Sequence, residues 1–191
     1  MNKEVKNKEI NRKEKWKVLD LVYMAVGAVL ICVCSWISIP ATVPFTLQTF
    51  AVFFVLGLLG GKRGTVSIFV YILLGAVGIP VFSGFTGGFA RLIGTTGGYI
   101  IGFIFMGLEY WAAEKLFGSK LPVRILATVL GTVICYAFGT AWFMVVYANQ
   151  TGPIALGTAL AWCVIPFIIP DLVKMAVAIL ASMKVQKILH F

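Results

Sequence analysis

The chain reads as long apolar runs broken by short clusters of glycine, proline and charge. A run of about 20 apolar residues is long enough to cross a bilayer as a helix. The first run extends from about Val18 to Ile37, and Pro40-Ala41-Thr42-Val43-Pro44 turns the chain. A short second run covers about Phe45 to Leu59 and ends in a tight basic turn, Gly60-Gly61-Lys62-Arg63-Gly64. The third covers about Thr65 to Ile79, stops at Pro80 and gives way to a glycine-rich loop from Val81 to Gly94. The fourth runs from about Thr96 to Leu116, and the fifth from about Val123 to Tyr147 beyond a turn at Gly118–Pro122. After the polar turn Asn149–Pro153, residues Ile154 to Ile169 are apolar but interrupted by Pro166, with Pro170 next. Proline fits the first turn of a helix and damages its interior. The sixth helix is therefore predicted to start at Pro170 and reach Leu189, about 30 Å, leaving 154–169 as a short helix or loop packed at the membrane surface or re-entering it. The pattern predicts an all-α integral membrane protein: six transmembrane helices within 18–191, after a basic tail over 1–17.

Composition supports this. Of 191 residues, 60% are hydrophobic and 12% charged, against roughly 25% charged in soluble domains. So few charges cannot cover the surface of a soluble fold this size. The net charge of +9 is uneven, because Lys3, Lys6, Lys8, Arg12, Lys13, Lys15 and Lys17 crowd the first residues. Such a run suits nucleic acid, but ahead of apolar spans it reads as an anchor on anionic lipid, with no nucleic-acid partner. No cleavable signal peptide is expected. With the N-terminus inside, Lys62, Arg63, Lys115, Lys120, Arg124, Lys184 and Lys187 are cytoplasmic and Arg91 is the exception outside. That positive-inside pattern makes both termini cytoplasmic. Cys32, Cys34, Cys135 and Cys163 lack metal-ligand spacing and read as buried thiols. No catalytic residue, metal or cofactor is assigned.

The polar minority carries the candidate chemistry. Asp171 and Lys174 lie three apart on one helical face near the outer side; an intramembrane ionisable pair is a functional hypothesis by default. The plainer alternative is a self-neutralising pair that fixes packing, with Asp171 favourable at a helix N-terminus. Arg91 sits in the loop Val81–Gly94, where glycines allow close backbone approach and phenylalanines supply an apolar wall. That loop is either a lid whose arginine holds an anion or a flexible connection with one solvated arginine. Thr46, Gln48 and Thr49 bring hydrogen-bonding groups to the mouth of the second span, and helix capping accounts for one threonine. Gly94-Thr95-Thr96-Gly97-Gly98-Tyr99 lacks the ending of a nucleotide loop and suits close helix packing. Tyr99, Trp142 and Tyr147 serve as interfacial belt or pocket wall. Gathered at one face, Gln48, Arg91, Asp171 and Lys174 with intervening aromatics suit a small amphipathic ligand bearing negative charge.

Four segments then resemble a known family. Val43-Pro44-Phe45-Thr46-Leu47-Gln48-Thr49, Gly78-Ile79-Pro80-Val81-Phe82-Ser83-Gly84-Phe85, Thr96-Gly97-Gly98-Tyr99 and Pro170-Asp171-Leu172-Val173-Lys174 look like the motifs of BioY. BioY is the biotin-specific substrate-binding (S) component of energy-coupling factor (ECF) transporters. The resemblance spans about Leu21 to Met183. It implies a six-helix, multi-pass subunit of a bacterial plasma membrane that captures biotin outside with high affinity. Its implied partners are a transmembrane coupling protein and two cytoplasmic ATPases, so ATP hydrolysis is not its own. Transport is thought to involve toppling of the whole subunit. The resemblance implies that Asp171 accepts the ureido N–H groups, and that Lys174 answers the ureido oxygen or the valerate carboxylate. It implies Arg91 at the carboxylate, Gln48 and Thr46 at the polar end, and Phe82, Phe85, Tyr99 and Trp142 around the ring and thioether. Related subunits dock the coupling protein through small residues spaced four apart on the first span; here Ala28 and Cys32 keep that spacing, behind Met24. The family often has proline where Thr95 stands. Two other classes compete: a lipid-acting enzyme using Asp171 and Lys174 as acid and base, and an autonomous channel or secondary transporter.

Overall fold

The computed structural model describes residues 18–189; the basic tail over 1–17 and His190 lie outside the described residues. The chain forms α1 (Val18–Trp36), a short hairpin of β1 (Ser38–Ile39) and β2 (Phe45–Thr46), α2 (Gln48–Ala76), α3 (Phe89–Ile93), α4 (Gly97–Phe117), α5 (Leu121–Gln150), α6 (Leu156–Cys163) and α7 (Ile165–Leu189). Among the described residues, four stretches are long and apolar enough to cross a membrane: Val18–Trp36, Gln48–Ala76, Leu121–Gln150 and Leu156–Ile188.

The helix α2 is two arms folded against each other. Gly60, at φ 79° and ψ 167°, breaks it. In a straight helix residues 48 and 71 would stand about 35 Å apart, yet Gln48 Nε2 donates to Tyr71 Oη at 2.8 Å. The arms before and after Gly60 are about 18 and 24 Å long at 1.5 Å per residue. The basic turn expected over Gly60–Gly64 thus shrinks to one residue, and Gly61–Gly64 open the second arm. Two glycines make the fold-back possible. Gly60 supplies a backbone conformation that side chains disfavour, and a Cβ on Gly64 would press on the Leu56 backbone.

Polar groups secure the end of the bundle at the Gly60 turn. Glu114 Oε2 accepts from the Gly61 N–H at 2.6 Å, a carboxylate at a helix start where orphan amides favour negative charge. Arg63 pairs with Asp20 at 2.8 Å, tying α1 to the second arm. Gln186 Nε2 donates to the carbonyls of Gly57 and Leu58, both at 3.0 Å. Those carbonyls end the first arm and have no helical donor ahead of them.

Small residues set the packing inside. The helices pair as α1 on α2, α2 on α4, α4 on α5 and α7 on α2. Gly102 lies against Cys135, Gly131 against Met106 and Gly107 against Thr65. In a bilayer such close approach, rather than hydrophobic exclusion, supplies the attraction between helices. Met24, Ala28 and Cys32 are buried in the core. The small-residue spacing expected to dock a partner therefore faces inward, and α1 presents Val22, Val26, Val29 and Val33 outward instead.

The last helix departs from expectation. It begins at Ile165, not Pro170, so Pro170 lies inside it. Pro166 falls in the first turn, where no helical bond exists to be lost, and Pro170 sacrifices one bond in the second. Membrane helices tolerate this when neighbours cover the gap. The short helix expected within 154–169 is α6, which breaks from α7 at Val164 (φ −125°, ψ −57°). Asp171 therefore sits a turn inside its helix.

A Cβ on Gly61 would run into the Trp111 backbone, whereas one on Gly157 meets nothing within 4 Å. Gly61→Ala is expected to destabilise the fold by about 1–3 kcal/mol, the range for overpacking. Gly157→Ala should change it by less than about 0.5 kcal/mol. Thermal unfolding of the two variants in detergent checks the contrast.

Candidate functional site

At the end opposite the Gly60 turn, a cavity opens with about 790 Å³ of empty space, mouth included. The hairpin and the start of α2 supply Val43, Thr46, Gln48 and Thr49. The loop after α2 supplies Phe82, Ser83, Thr86 and Arg91 over the mouth. Tyr99, Ile100 and Phe103 come from α4, Cys135 and Tyr136 from α5, and Phe167, Asp171 and Lys174 from α7.

Its polar centre is the carboxylate of Asp171, 2% exposed. Lys174 Nζ stands 2.9 Å from Oδ1, and the Thr49 hydroxyl donates to the same oxygen at 2.9 Å. Tyr136 Oη donates to Oδ2 at 2.6 Å. Lys174 also donates to the Thr46 carbonyl at 2.7 Å and to Thr49 Oγ1 at 3.1 Å. An ammonium has three protons, and all three find acceptors here. The i, i+3 spacing within α7 makes the pair, but the short first arm of α2 brings Thr46 and Thr49 beside it. Phe45 stacks on Phe167 at 4.2 Å between centroids, and Lys174 Nζ lies 5.6 Å from the Phe45 ring centre. The Thr46 hydroxyl accepts from the Gln48 N–H at 3.2 Å, one residue ahead of the N-cap Leu47, so the cap position itself is not a threonine.

The loop 81–94 folds over the mouth. The Ser35 hydroxyl bonds the Val81 carbonyl, and Trp36 Nε1 donates to the Pro80 carbonyl at 2.8 Å, pinning the loop to α1. Phe82 is buried, edge-on to Tyr71 at 5.6 Å, in the space left by Gly75. Arg91 is exposed at the rim, its Nε donating to Thr86 Oγ1 at 3.0 Å. Among the described residues no carboxylate pairs with it.

Seven of the nine residues expected at the site line this cavity: Thr46, Gln48, Phe82, Arg91, Tyr99, Asp171 and Lys174. Phe85 and Trp142 do not. Phe85 takes φ 56° at the loop tip and stacks on Trp36 outside the cavity, 65% exposed. Trp142 covers Gly98, and its Nε1 donates to the Gly94 carbonyl at 3.0 Å, holding the turn between α3 and α4. Both aromatics brace the loop instead of facing a ligand. Tyr99 does line the cavity: its ring lies over Gly139 and its hydroxyl bonds Thr140 at 2.9 Å. Sequence reasoning left out Tyr136, Phe103 and Phe167. Tyr136 carried one usable signal, a hydroxyl in the middle of an apolar span, where it needs a buried partner.

The sulfurs of the four cysteines are free thiols, and among the described residues no group of three or more histidines, cysteines or carboxylates could hold a metal. A mostly apolar, outward-opening cavity with one neutralised carboxylate at its centre is built to bind a small polar-headed molecule.

A sequence model described as the BioY family matches residues 6–191. The chain is 38% identical to the biotin transporter BioY of Thermotoga maritima over 88% of its own length and 96% of the relative's. It is 37% identical to a probable biotin transporter BioY of Pyrococcus horikoshii, covering 89% and 98%. It also superposes on the crystal structure of the S-component for biotin from an ECF-type ABC transporter. That match has a TM-score of 0.77 and 27% identity, over 89% of this chain and 92% of the other. These relatives are transport proteins, not enzymes, and by sequence and by fold this chain belongs to the BioY family.

Proposed function

We propose that the chain is the biotin-capturing S component of an ECF-type importer, taking biotin with high affinity from the outer face of a bacterial plasma membrane. The observation that carries this is the buried Asp171 carboxylate at the centre of the outer cavity, fixed by Lys174 and Thr49 and facing apolar walls. Its relatives' names supply the ligand. The ureido ring of biotin offers two N–H donors, the thiophane ring an apolar body and the valerate a carboxylate. Asp171 accepts from the ureido, a charge-assisted bond. Tyr99, Phe82, Phe103 and Phe167 flank the apolar rings. The protons of Lys174 are already engaged by Asp171, Thr49 and Thr46. Lys174 therefore serves as the counter-ion of Asp171, and Arg91, without a carboxylate partner of its own, receives the valerate at the mouth. Gln48 and Thr46 complete the polar end.

In this reading six helical rods cross the membrane: α1, both arms of α2, α4, α5 and α7. Both termini are cytoplasmic, and residues 1–17 hold the chain to anionic lipid. The basic side chains Lys62, Arg63, Lys115, Lys120, Arg124, Lys184 and Lys187 all fall at the end away from the cavity, as the positive-inside rule requires. A transmembrane coupling protein and two cytoplasmic ATPases drive release; the chain itself hydrolyses nothing.

Isothermal titration of the purified chain with biotin tests the assignment; absence of binding would refute it. Asp171→Asn should weaken biotin by about 1.5–3 kcal/mol, the value of a hydrogen bond to a charged group, and an unchanged Kd would return Asp171 to a purely structural role. Arg91→Gln should weaken biotin but leave biotin methyl ester unaffected, because only the free acid carries the charge it meets. Equal losses for both ligands would remove Arg91 from the carboxylate. Lys174→Met should cost the fold about 3–5 kcal/mol, the penalty for stranding a buried charge, read as a fall in Tm that Asp171→Asn/Lys174→Met together partly restores. Biotin uptake in vesicles only when the coupling protein and ATPases are present supports an S component; uptake by the chain alone would make it an autonomous transporter.

A further inference from the structure

The bundle is open on one side. α5 packs on α4, and α7 packs on α2, but α5 and α7 do not pack along one another. Between them runs a second hollow of about 1,180 Å³, apolar almost throughout, whose lining includes Val133, Ala137, Ala141, Ile168 and Leu172. Val133, Ile168 and Leu172 are themselves exposed, so the hollow is continuous with the surface that faces lipid. Two residues line both this groove and the outer cavity: Tyr136 and Asp171. Their hydrogen bond, Tyr136 Oη to Asp171 Oδ2 at 2.6 Å, spans the gap from α5 to α7.

An apolar groove open to a bilayer is not left empty and does not hold water, because water there finds no polar partners. The surrounding medium that fits it is the hydrocarbon of the membrane. A groove filled with acyl chain then stands one side chain away from a cavity whose walls, Ile100, Phe103, Phe82 and Phe167, are equally apolar and would accept the same hydrocarbon. Something must keep the two apart. We propose that the α5–α7 groove is a lipid acyl-chain site and that Tyr136, hydrogen-bonded to Asp171, is the partition that keeps hydrocarbon out of the ligand cavity. The phenol is suited to this. Its ring closes the opening, and its hydroxyl both satisfies Asp171 and fixes the ring across the gap, as an apolar ring of the same size could not. Tyr136 is thus a positioning residue for Asp171 and the lateral wall of the site. The inference uses the cavity as the biotin site, but the groove and its contents do not depend on which ligand the cavity takes.

The test reconstitutes the full chain with a phosphatidylcholine carrying a diazirine midway along one acyl chain, then maps photolabelled peptides. In the unaltered chain label is expected on the groove walls, around Val133 and Leu172, and not on Ile100 or Phe103. Tyr136→Ala should extend the label to the Ile100–Phe103 segment and raise the Kd for biotin at least tenfold, more so as detergent chains lengthen. Tyr136→Phe keeps the ring but frees it, and should show an intermediate spread of label. Ala137→Phe, which fills the groove from α5 without touching the cavity, should abolish groove labelling and leave biotin binding unchanged; it also keeps the test valid if Tyr136→Ala fails to fold. Groove residues that take no label in the unaltered chain, or labelling that Ala137→Phe does not reduce, would overturn the lipid site. A folded Tyr136→Ala chain whose cavity stays unlabelled would overturn the partition. Labelling as expected in a chain that binds no biotin would leave this inference standing and defeat the ligand assignment alone.

Discussion

A carboxylate held almost wholly out of water, within a bundle surrounded by lipid, is the constraint on which the cavity half of this molecule depends. Leaving Asp171 unpaired there would cost several kcal/mol. The chain meets the demand with one counter-ion and two hydroxyls, drawn from three separate elements. Lys174 comes from the same helix, Thr49 from the start of α2 and Tyr136 from α5. Each of these donors has a second duty. Lys174 fastens the hairpin through the Thr46 carbonyl, Thr49 links the ammonium to the carboxylate, and Tyr136 spans the gap between helices that otherwise stand apart. Neutralising one charge therefore assembles the hairpin, α2, α5 and α7 into a cavity.

Room for that cavity comes from the break at Gly60. The first arm of α2 is only about 18 Å long, so its helix alone does not fill the depth of a hydrocarbon core of about 30 Å. The remaining depth is taken by the β1–β2 hairpin and by the empty space above Gln48. The missing wall is replaced by the loop 81–94, which Trp36, Ser35 and the stack of Trp36 on Phe85 hold down. At the other end, Glu114, Arg63 and Gln186 tie off the backbone groups and charges that the fold-back exposes. The two ends are thus built differently. The end at the Gly60 turn is laced with polar contacts, while the opposite end is an aromatic-walled hollow closed by a loop.

The absence of direct packing between α5 and α7 has a functional side. A six-rod bundle closed all round would enclose its ligand more securely, but its walls could not part without breaking helix contacts. Here the outer cavity is bounded on one side by a single hydrogen bond and a phenol ring, next to a groove exposed to lipid. That arrangement gives the cavity and the lipid-facing groove two shared lining residues, Tyr136 and Asp171.

Much of this was legible in one dimension. Runs of apolar residues and their glycine and proline breaks mark the helices to within a few residues, because the bilayer demands satisfied backbone over a set length. The Asp171–Lys174 pair stood out for a related reason: charge inside hydrocarbon is costly enough to be rare. The clustering of basic residues gives an expectation of which end faces the cytoplasm. Other features depended on contacts between distant segments. Pro170 looked like a helix start, but the first turn at Ile165 and neighbouring helices let the helix pass through it. Phe85 and Trp142 had the composition of pocket walls, yet the direction of a side chain on a loop or helix is set by what packs beneath it, here Trp36 and Gly98. The small residues of α1 turned inward because α2 folds back against them. Tyr136 offered only a hydroxyl inside an apolar span, since its meaning lies in the gap between α5 and α7, which no local pattern encodes. Sequence alone determined the lipid-immersed helices and their costly charges; the tertiary structure decided which of those charges are answered, by whom, and what stands between the cavity and the membrane.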